Sequence, residues 1–136
     1  MTDPAPSKPL HIGLWVVQVL LAIAFGMAGA MKAMTAAPDL VAQGMAWAGR
    51  VPGWLVPIIG VSELLGAIGL ILPSALRIQP KVTGVAALAL LLVMVLAGLE
   101  HGMAGELSAL PVNVILGGMC AFVAWGRLSG APIAGR

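Results

Sequence analysis

The chain has 136 residues, of which 60% are hydrophobic and 9% are charged, with a net charge of +2. Soluble domains carry about 25% charged residues, so this composition excludes a water-facing globule and predicts an integral protein of the lipid bilayer. The small net charge and the scattered basic residues argue against nucleic-acid binding. Because Cys120 is the single cysteine, the sequence offers neither an internal disulfide nor a CxxC redox pair.

Four apolar segments, at about 10–34, 54–72, 82–99 and 109–125, are each long enough to cross a bilayer as a helix. They predict an all-α antiparallel four-helix bundle, with a membrane domain over 10–127. Residues 1–9 are polar and contain three prolines, which favours a flexible cytoplasmic tail, and 128–136 are expected to form a C-terminal tail. For the first segment the alternative is a signal peptide cleaved near Ala28-Gly29-Ala30.

Residues 35–53 lie between the first two spans and have mixed polarity. Leu40, Val41, Met45 and Trp47 could form one apolar stripe, which favours a short interfacial helix that ends near Gly49. An irregular loop is the alternative. Trp47 and Trp54 fit a belt of aromatic side chains at the level of the lipid head groups.

Four spans place both termini on one side of the membrane. That side collects most of the basic residues, so the positive-inside rule predicts cytoplasmic termini in a bacterial-type inner (plasma) membrane. Arg127 is expected to anchor the last helix at the cytoplasmic head groups. The segment between Glu100 and Glu106 is expected to form an outward-facing loop.

Glu63 lies in the middle of the second span, where a lone charge costs at least ~3 kcal/mol. Without a cation nearby, its carboxyl group would stay protonated at neutral pH. Ile59, Gly60, Gly66 and Ala67 are its neighbours at helical spacing, and small residues mark contacts between membrane helices. Glu63 is therefore expected to face the interior of the bundle, either as a structural hydrogen bond or as part of a functional site.

Lys32, His101 and Asn113 also share helix faces with small residues, which predicts that they point inward with Glu63. Together they could line an outward-facing polar pocket that Trp47 or Trp54 closes with an aromatic ring. Lys32 could pair with Glu63, or its long side chain could extend to the interface. His101 could carry a proton or act as a metal ligand, or it could be simply solvated. No metal site is predicted, because the methionines show no repeated close spacing.

The chain resembles the DoxX-like family of small membrane proteins over residues 12–127. The matching segments are AGAMK at 28–32, GVSELLGAIGLILP at 60–73, His101 after the third span, and Gly126-Arg127 at the end of the fourth. The resemblance implies a four-helix membrane bundle. Relatives include subunits linked to thiosulfate or quinone oxidation, parts of membrane redox complexes, and assembly helpers for other membrane proteins.

Three functions follow as expectations. The first is an accessory subunit, not catalytic alone, that anchors or assembles a larger complex such as a quinone-linked oxidoreductase, because the sequence has no haem-ligand pair, CxxC or nucleotide motif. The second is direct binding of a quinone or similar amphiphile in the pocket around Glu63. The third is a small proton-coupled transporter, which would need a dimer. Other membrane subunits or further copies of the chain are the expected partners.

Overall fold

The predicted all-α architecture is confirmed by the computed structural model, which describes Ala5 and residues 7–136. Four long helices are apolar enough to cross a membrane, as the composition requires. The α-helices are α1 (Lys8–Met34), α2 (Ala37–Ala42), α3 (Leu55–Leu76), α4 (Lys81–Met103) and α5 (Leu110–Trp125). Short 3-10 helices cover Ala46–Gly49 and Leu107–Ala109, and a π-helical turn covers Gly126–Gly130.

The first helix begins inside the segment expected to be a flexible tail. Ser7 is the N-cap, and its hydroxyl oxygen accepts a hydrogen bond from the backbone N–H of Leu10 at 3.3 Å. Pro9 follows within the first turn, where its missing N–H costs no helical bond. Residues 1–4 and 6 of that predicted tail lie outside the described residues.

Helix α3 continues past Pro73, beyond the end near residue 72 that the sequence predicted for the second span. It ends at Leu76 because Arg77 takes a left-handed conformation with φ of 59°. Just after the proline, the buried hydroxyl groups of Ser74 and Thr83 are 2.7 Å apart and share a hydrogen bond. This bond links the end of α3 to the start of α4 and holds the tight connection between them.

The bundle is built around the pairs α1–α3, α3–α4 and α4–α5, and α1 touches α5 less extensively. The core contains Leu21, Phe25, Leu70, Ala87, Leu90, Cys120 and Val123. Large apolar side chains such as Ile12, Met27 and Val114 are exposed on the outer faces. A surface of this kind is stable only against lipid, which agrees with a membrane-spanning bundle.

The segment predicted to hold an interfacial helix contains two short helices instead of one. Leu40 of α2 and Ala48 of the following 3-10 helix are fully buried against Val56 at the start of α3. The segment is therefore packed on one end of the bundle. We call this end, which also holds the α4–α5 connection, the loop end, and the opposite end the terminal end.

Candidate functional site

A buried ion pair joins α1 and α3. The Lys32 ammonium donates hydrogen bonds to both carboxylate oxygens of Glu63, at 2.8 and 2.9 Å. The Glu63 side chain is 1% exposed and that of Lys32 is 15% exposed. The sequence left open whether these residues pair. The structure places them together, so Lys32 is the compensating cation for the intramembrane acid.

Two glycines explain how the pair forms. Gly29 and Gly60 lie where α1 crosses α3, so closely that a Cβ on Gly60 would be 2.5 Å from the Ala33 nitrogen and 2.7 Å from the Gly29 carbonyl oxygen. Only residues without a side chain allow this approach. Lys32 and Glu63 each lie three residues after one of these glycines, on the same helix faces. The close crossing therefore sets the two charges opposite each other.

Trp47 covers the pair from the loop end. Its ring lies 5.6 Å from the Lys32 ammonium, within the range of a cation–π interaction. Gly44, with φ of 99°, ends α2 in a Schellman turn, in which the N–H of Met45 bonds to the Leu40 carbonyl at 3.0 Å. This reversal carries the chain into the 3-10 helix that presents Trp47.

A cluster of charged groups, which we call the Arg50 cluster, closes the loop end. Arg50 donates hydrogen bonds to Glu100 at 2.6 and 3.0 Å and to Glu106 at 2.8 Å. His101 Nδ1 lies 2.7 Å from Glu106. The hydrogen bonds to Glu100, and then to Glu106, hold the pKa of the Arg50 guanidinium above its usual range. The bond from Arg50, and then that from His101, lowers the pKa of Glu106.

His101 lies on the last turns of α4, although the sequence predicted that a loop begins before it. The helix ends only at Met103. Gly105, whose φ is 76°, then forms a second Schellman turn in which the N–H of Glu106 bonds to the His101 carbonyl at 2.9 Å. This backbone bond brings Glu106 back beside His101. Gly105, the second glycine in the sequence GMAGE, was the signal for the later helix end.

The Arg50 cluster also contains three groups of the kind that bind metals. Ligand atoms of Glu100, His101 and Glu106 lie within 4.8 Å of one another. Arg50 already donates to both carboxylates, however, so a metal ion would have to displace a cation that is bound with good geometry. We therefore interpret the cluster as a structural connection between the α2–α3 segment and the end of α4.

A cavity of about 340 Å³ lies beside the buried pair, between the pair and α4 and α5. Its walls are mostly apolar. The polar and aromatic lining residues are Lys32, Trp47, Glu63, Glu100, His101 and Asn113, and the apolar ones include Leu55, Ile59, Met94 and Leu96. The Asn113 Nδ2 is buried and has no hydrogen-bond partner among the described residues.

The structure thus brings five of the six sequence-predicted site residues to one cavity. The sixth, Trp54, lies apart: it is the N-cap of α3, 67% exposed, and does not line the cavity. It lies in the turn before α3, in which the N–H of Leu55 bonds to the Pro52 carbonyl at 2.9 Å. Trp54 remains a suitable residue for the head-group belt.

The terminal end holds a polar group that the sequence reasoning missed. Arg127 was expected to reach the head groups, but its side chain is 1% exposed and points into the bundle. Its Nε donates to Gln18 Oε1 at 2.6 Å, and Gln18 Nε2 donates to the Leu70 carbonyl at 2.6 Å. Gln18, a lone polar residue within an apolar span, was the signal for an inward-facing partner.

The fold and the cavity together define a four-span integral membrane protein with a buried, charge-neutralised polar site. The chain belongs to the DoxX-like family, whose model matches residues 16–123. That match includes α3 and α4 in full, most of α1 and α5, and every residue that lines the cavity. Comparisons with curated proteins and with solved structures found no match.

Proposed function

We propose that the cavity binds a small amphiphile whose head group accepts hydrogen bonds, with a quinone as the first candidate. The observation that carries this proposal is Asn113, which lines an apolar cavity beside the Lys32–Glu63 pair and whose buried Nδ2 has no hydrogen-bond partner among the described residues. Buried amide donors in proteins normally have partners. A carbonyl oxygen in the cavity would supply that partner.

The composition of the walls supports the same class of ligand. Lys32 uses two of its three ammonium protons on Glu63, which leaves the third for a ligand. Trp47 offers a ring face and His101 a second polar group at the loop end. A volume of about 340 Å³ is at the small end of ligand sites, enough for a quinone ring, whose apolar tail would lie along the exposed side chains of α3 and α4.

Retention of a short-chain ubiquinone by the purified protein tests this proposal. Asn113→Leu removes the donor without breaking any hydrogen bond of the protein, so it should lower affinity by roughly tenfold with little loss of stability. Trp47→Leu should weaken retention, and Trp54→Leu is the matched control that should leave it unchanged. Equal retention by the wild type and the Asn113→Leu variant would contradict the proposal.

The accessory role expected from the sequence is compatible with this site. A chain that has a single cysteine and no haem-ligand motif but holds a quinone would pass it to, or receive it from, a redox partner in the same membrane. Purification in mild detergent followed by mass spectrometry tests this role: a partner should be recovered at constant stoichiometry, and a clean, partner-free oligomer would count against it. Proton-coupled transport stays a prediction that no observation in the structure favours.

We also propose that the terminal end faces the cytoplasm of a bacterial-type inner membrane. The support is the distribution of basic residues: Arg50 lies at the loop end beside Glu100 and Glu106, while the terminal end carries Lys8, Arg77, Lys81, Arg127 and Arg136. Basic residues beside membrane spans are retained on the cytoplasmic side.

A further inference from the structure

The second polar group of the molecule, at the terminal end, contains the buried cation Arg127, which forms no ion pair with any acidic residue that the structure describes. The Arg127 Nη1 donates to the Ala131 carbonyl at 3.1 Å and lies 3.1 Å from His11 Nδ1. The guanidinium also lies 5.5 Å from the centre of the Trp15 ring. Its Nη2 is buried and has no hydrogen-bond partner among the described residues.

None of the acidic residues that the structure describes neutralises this charge. Glu63 is paired with Lys32, while Glu100 and Glu106 are paired with Arg50. Asp39 lies on α2 at the opposite end. A guanidinium stays charged in proteins, and a buried charge without a counter-charge is strongly unfavourable. The arrangement is therefore complete only when an anion lies nearby.

An open cavity of about 420 Å³ adjoins this charge. It is lined by His11, Trp15, Ser74 and Arg77, and by the C-terminal residues 132–134. Two of these, His11 and Trp15, also contact Arg127, so the guanidinium lies directly behind the cavity wall. Arg77 adds a second cation at the rim, where its Nε donates to the Ala134 carbonyl at 2.9 Å.

The contact with Arg127 also fixes the proton of His11. A guanidinium has donors but no acceptor, so His11 Nδ1 must accept. The proton of the neutral ring is then on Nε2, at the far side of the imidazole from Nδ1. His11 therefore offers an N–H donor away from Arg127, and the charge of Arg127 strengthens that donor.

We propose that this cavity binds a phosphate group, held by the amino groups of Arg77 and by His11 Nε2–H, with Arg127 as the buried counter-charge. The planar donor fork of arginine matches phosphate oxygens. Basic pockets between membrane helices bind the head groups of anionic lipids, and a soluble phosphate has the same chemistry. The site is separate from the cavity at Asn113 and does not depend on the function proposed for it.

Native mass spectrometry of the full chain, released from micelles with phosphatidylglycerol or phosphatidylcholine, tests the lipid source. The wild type should retain phosphatidylglycerol preferentially. Arg77→Gln and His11→Gln should each reduce that retention by roughly fivefold. Lys81→Gln removes the same charge from an exposed residue at the same end, outside the cavity, and should change retention by less than twofold.

Inorganic phosphate, added at constant ionic strength, tests the soluble source. If it raises the Tm of the wild type but not of the Arg77→Gln variant, and no lipid preference is found, the site takes free phosphate. The proposal is overturned if neither probe binds, or if Lys81→Gln weakens binding as much as Arg77→Gln. It is also overturned if Asp3→Asn creates phosphate binding that the wild type lacks, because a carboxylate of the chain would then occupy the site.

Discussion

At the scale of single residues, Lys32 and Arg127 are both buried cations, but their charges are compensated in different ways. Lys32 has a carboxylate within hydrogen-bond distance, whereas Arg127 has neutral partners from Gln18, His11 and a backbone carbonyl. Removing one member of a buried ion pair is costly because the other charge remains, while replacing both often is not. A double variant that is more stable than the single variant therefore distinguishes an ion pair from two independent polar residues.

The Lys32→Met variant should be less stable than the wild type by about 3 kcal/mol, because the buried Glu63 carboxyl group loses both its counter-charge and its two hydrogen bonds from Lys32. Adding Glu63→Gln to it should restore most of that loss. Unfolding in mixed micelles with increasing sodium dodecyl sulfate measures both values. A double variant as unstable as the single one would show that the two side chains do not interact energetically.

At the scale of helices, the crossing of α1 and α3 at Gly29 and Gly60 controls the polar site. The helices are close enough there that added Cβ atoms would meet backbone atoms of the partner helix, which cannot move aside as a flexible side chain would. Elsewhere the packing is more tolerant, because the atoms near Gly66 and Gly84 belong to the side chains of Leu90 and Leu128. The rigid contact is thus confined to the turn that presents Lys32 and Glu63.

Gly29→Ala should separate α1 from α3, destabilise the bundle by about 1–3 kcal/mol and weaken the Lys32–Glu63 pair. Gly13→Ala is the matched control on the same helix: nothing lies within 4 Å of its added Cβ, and alanine favours helix formation over glycine. Its stability should be unchanged or slightly higher. Thermal unfolding in detergent compares the two, and equal Tm values would contradict the proposed role of the crossing.

At the scale of the whole molecule, the orientation in the membrane can be tested by labelling cysteines introduced at each end of the bundle. Cys120 is buried and should not react with a membrane-impermeant maleimide. Ser108→Cys, at the loop end, should be labelled from outside intact cells, and Ser129→Cys, at the terminal end, only after permeabilisation. The reverse pattern would invert the orientation, and equal labelling of both would exclude a two-sided placement.

Most of the architecture follows from the sequence, because lipid requires continuous apolar helices and leaves few alternatives. The inward direction of Glu63, Lys32 and Asn113 also follows, from small residues at helical spacing. The pairing of Lys32 with Glu63 did not, since it depends on the distance at which two helices cross. The late end of α4 depends on a Schellman glycine, and the inward direction of Arg127 depends on a π-helical turn. Both features involve only a few residues, so a hydropathy pattern averaged over a whole span does not predict them.

The separation of Lys32 and Glu63 by 31 positions has a consequence for biogenesis. By the time α3 leaves the ribosome, the nascent chain already contains both charges and the glycines that set them together. The first two spans can therefore enter the bilayer as one electrically neutral hairpin, without waiting for α4 and α5. The later helices would then be added against a preformed template, and their arrival would enclose the cavity.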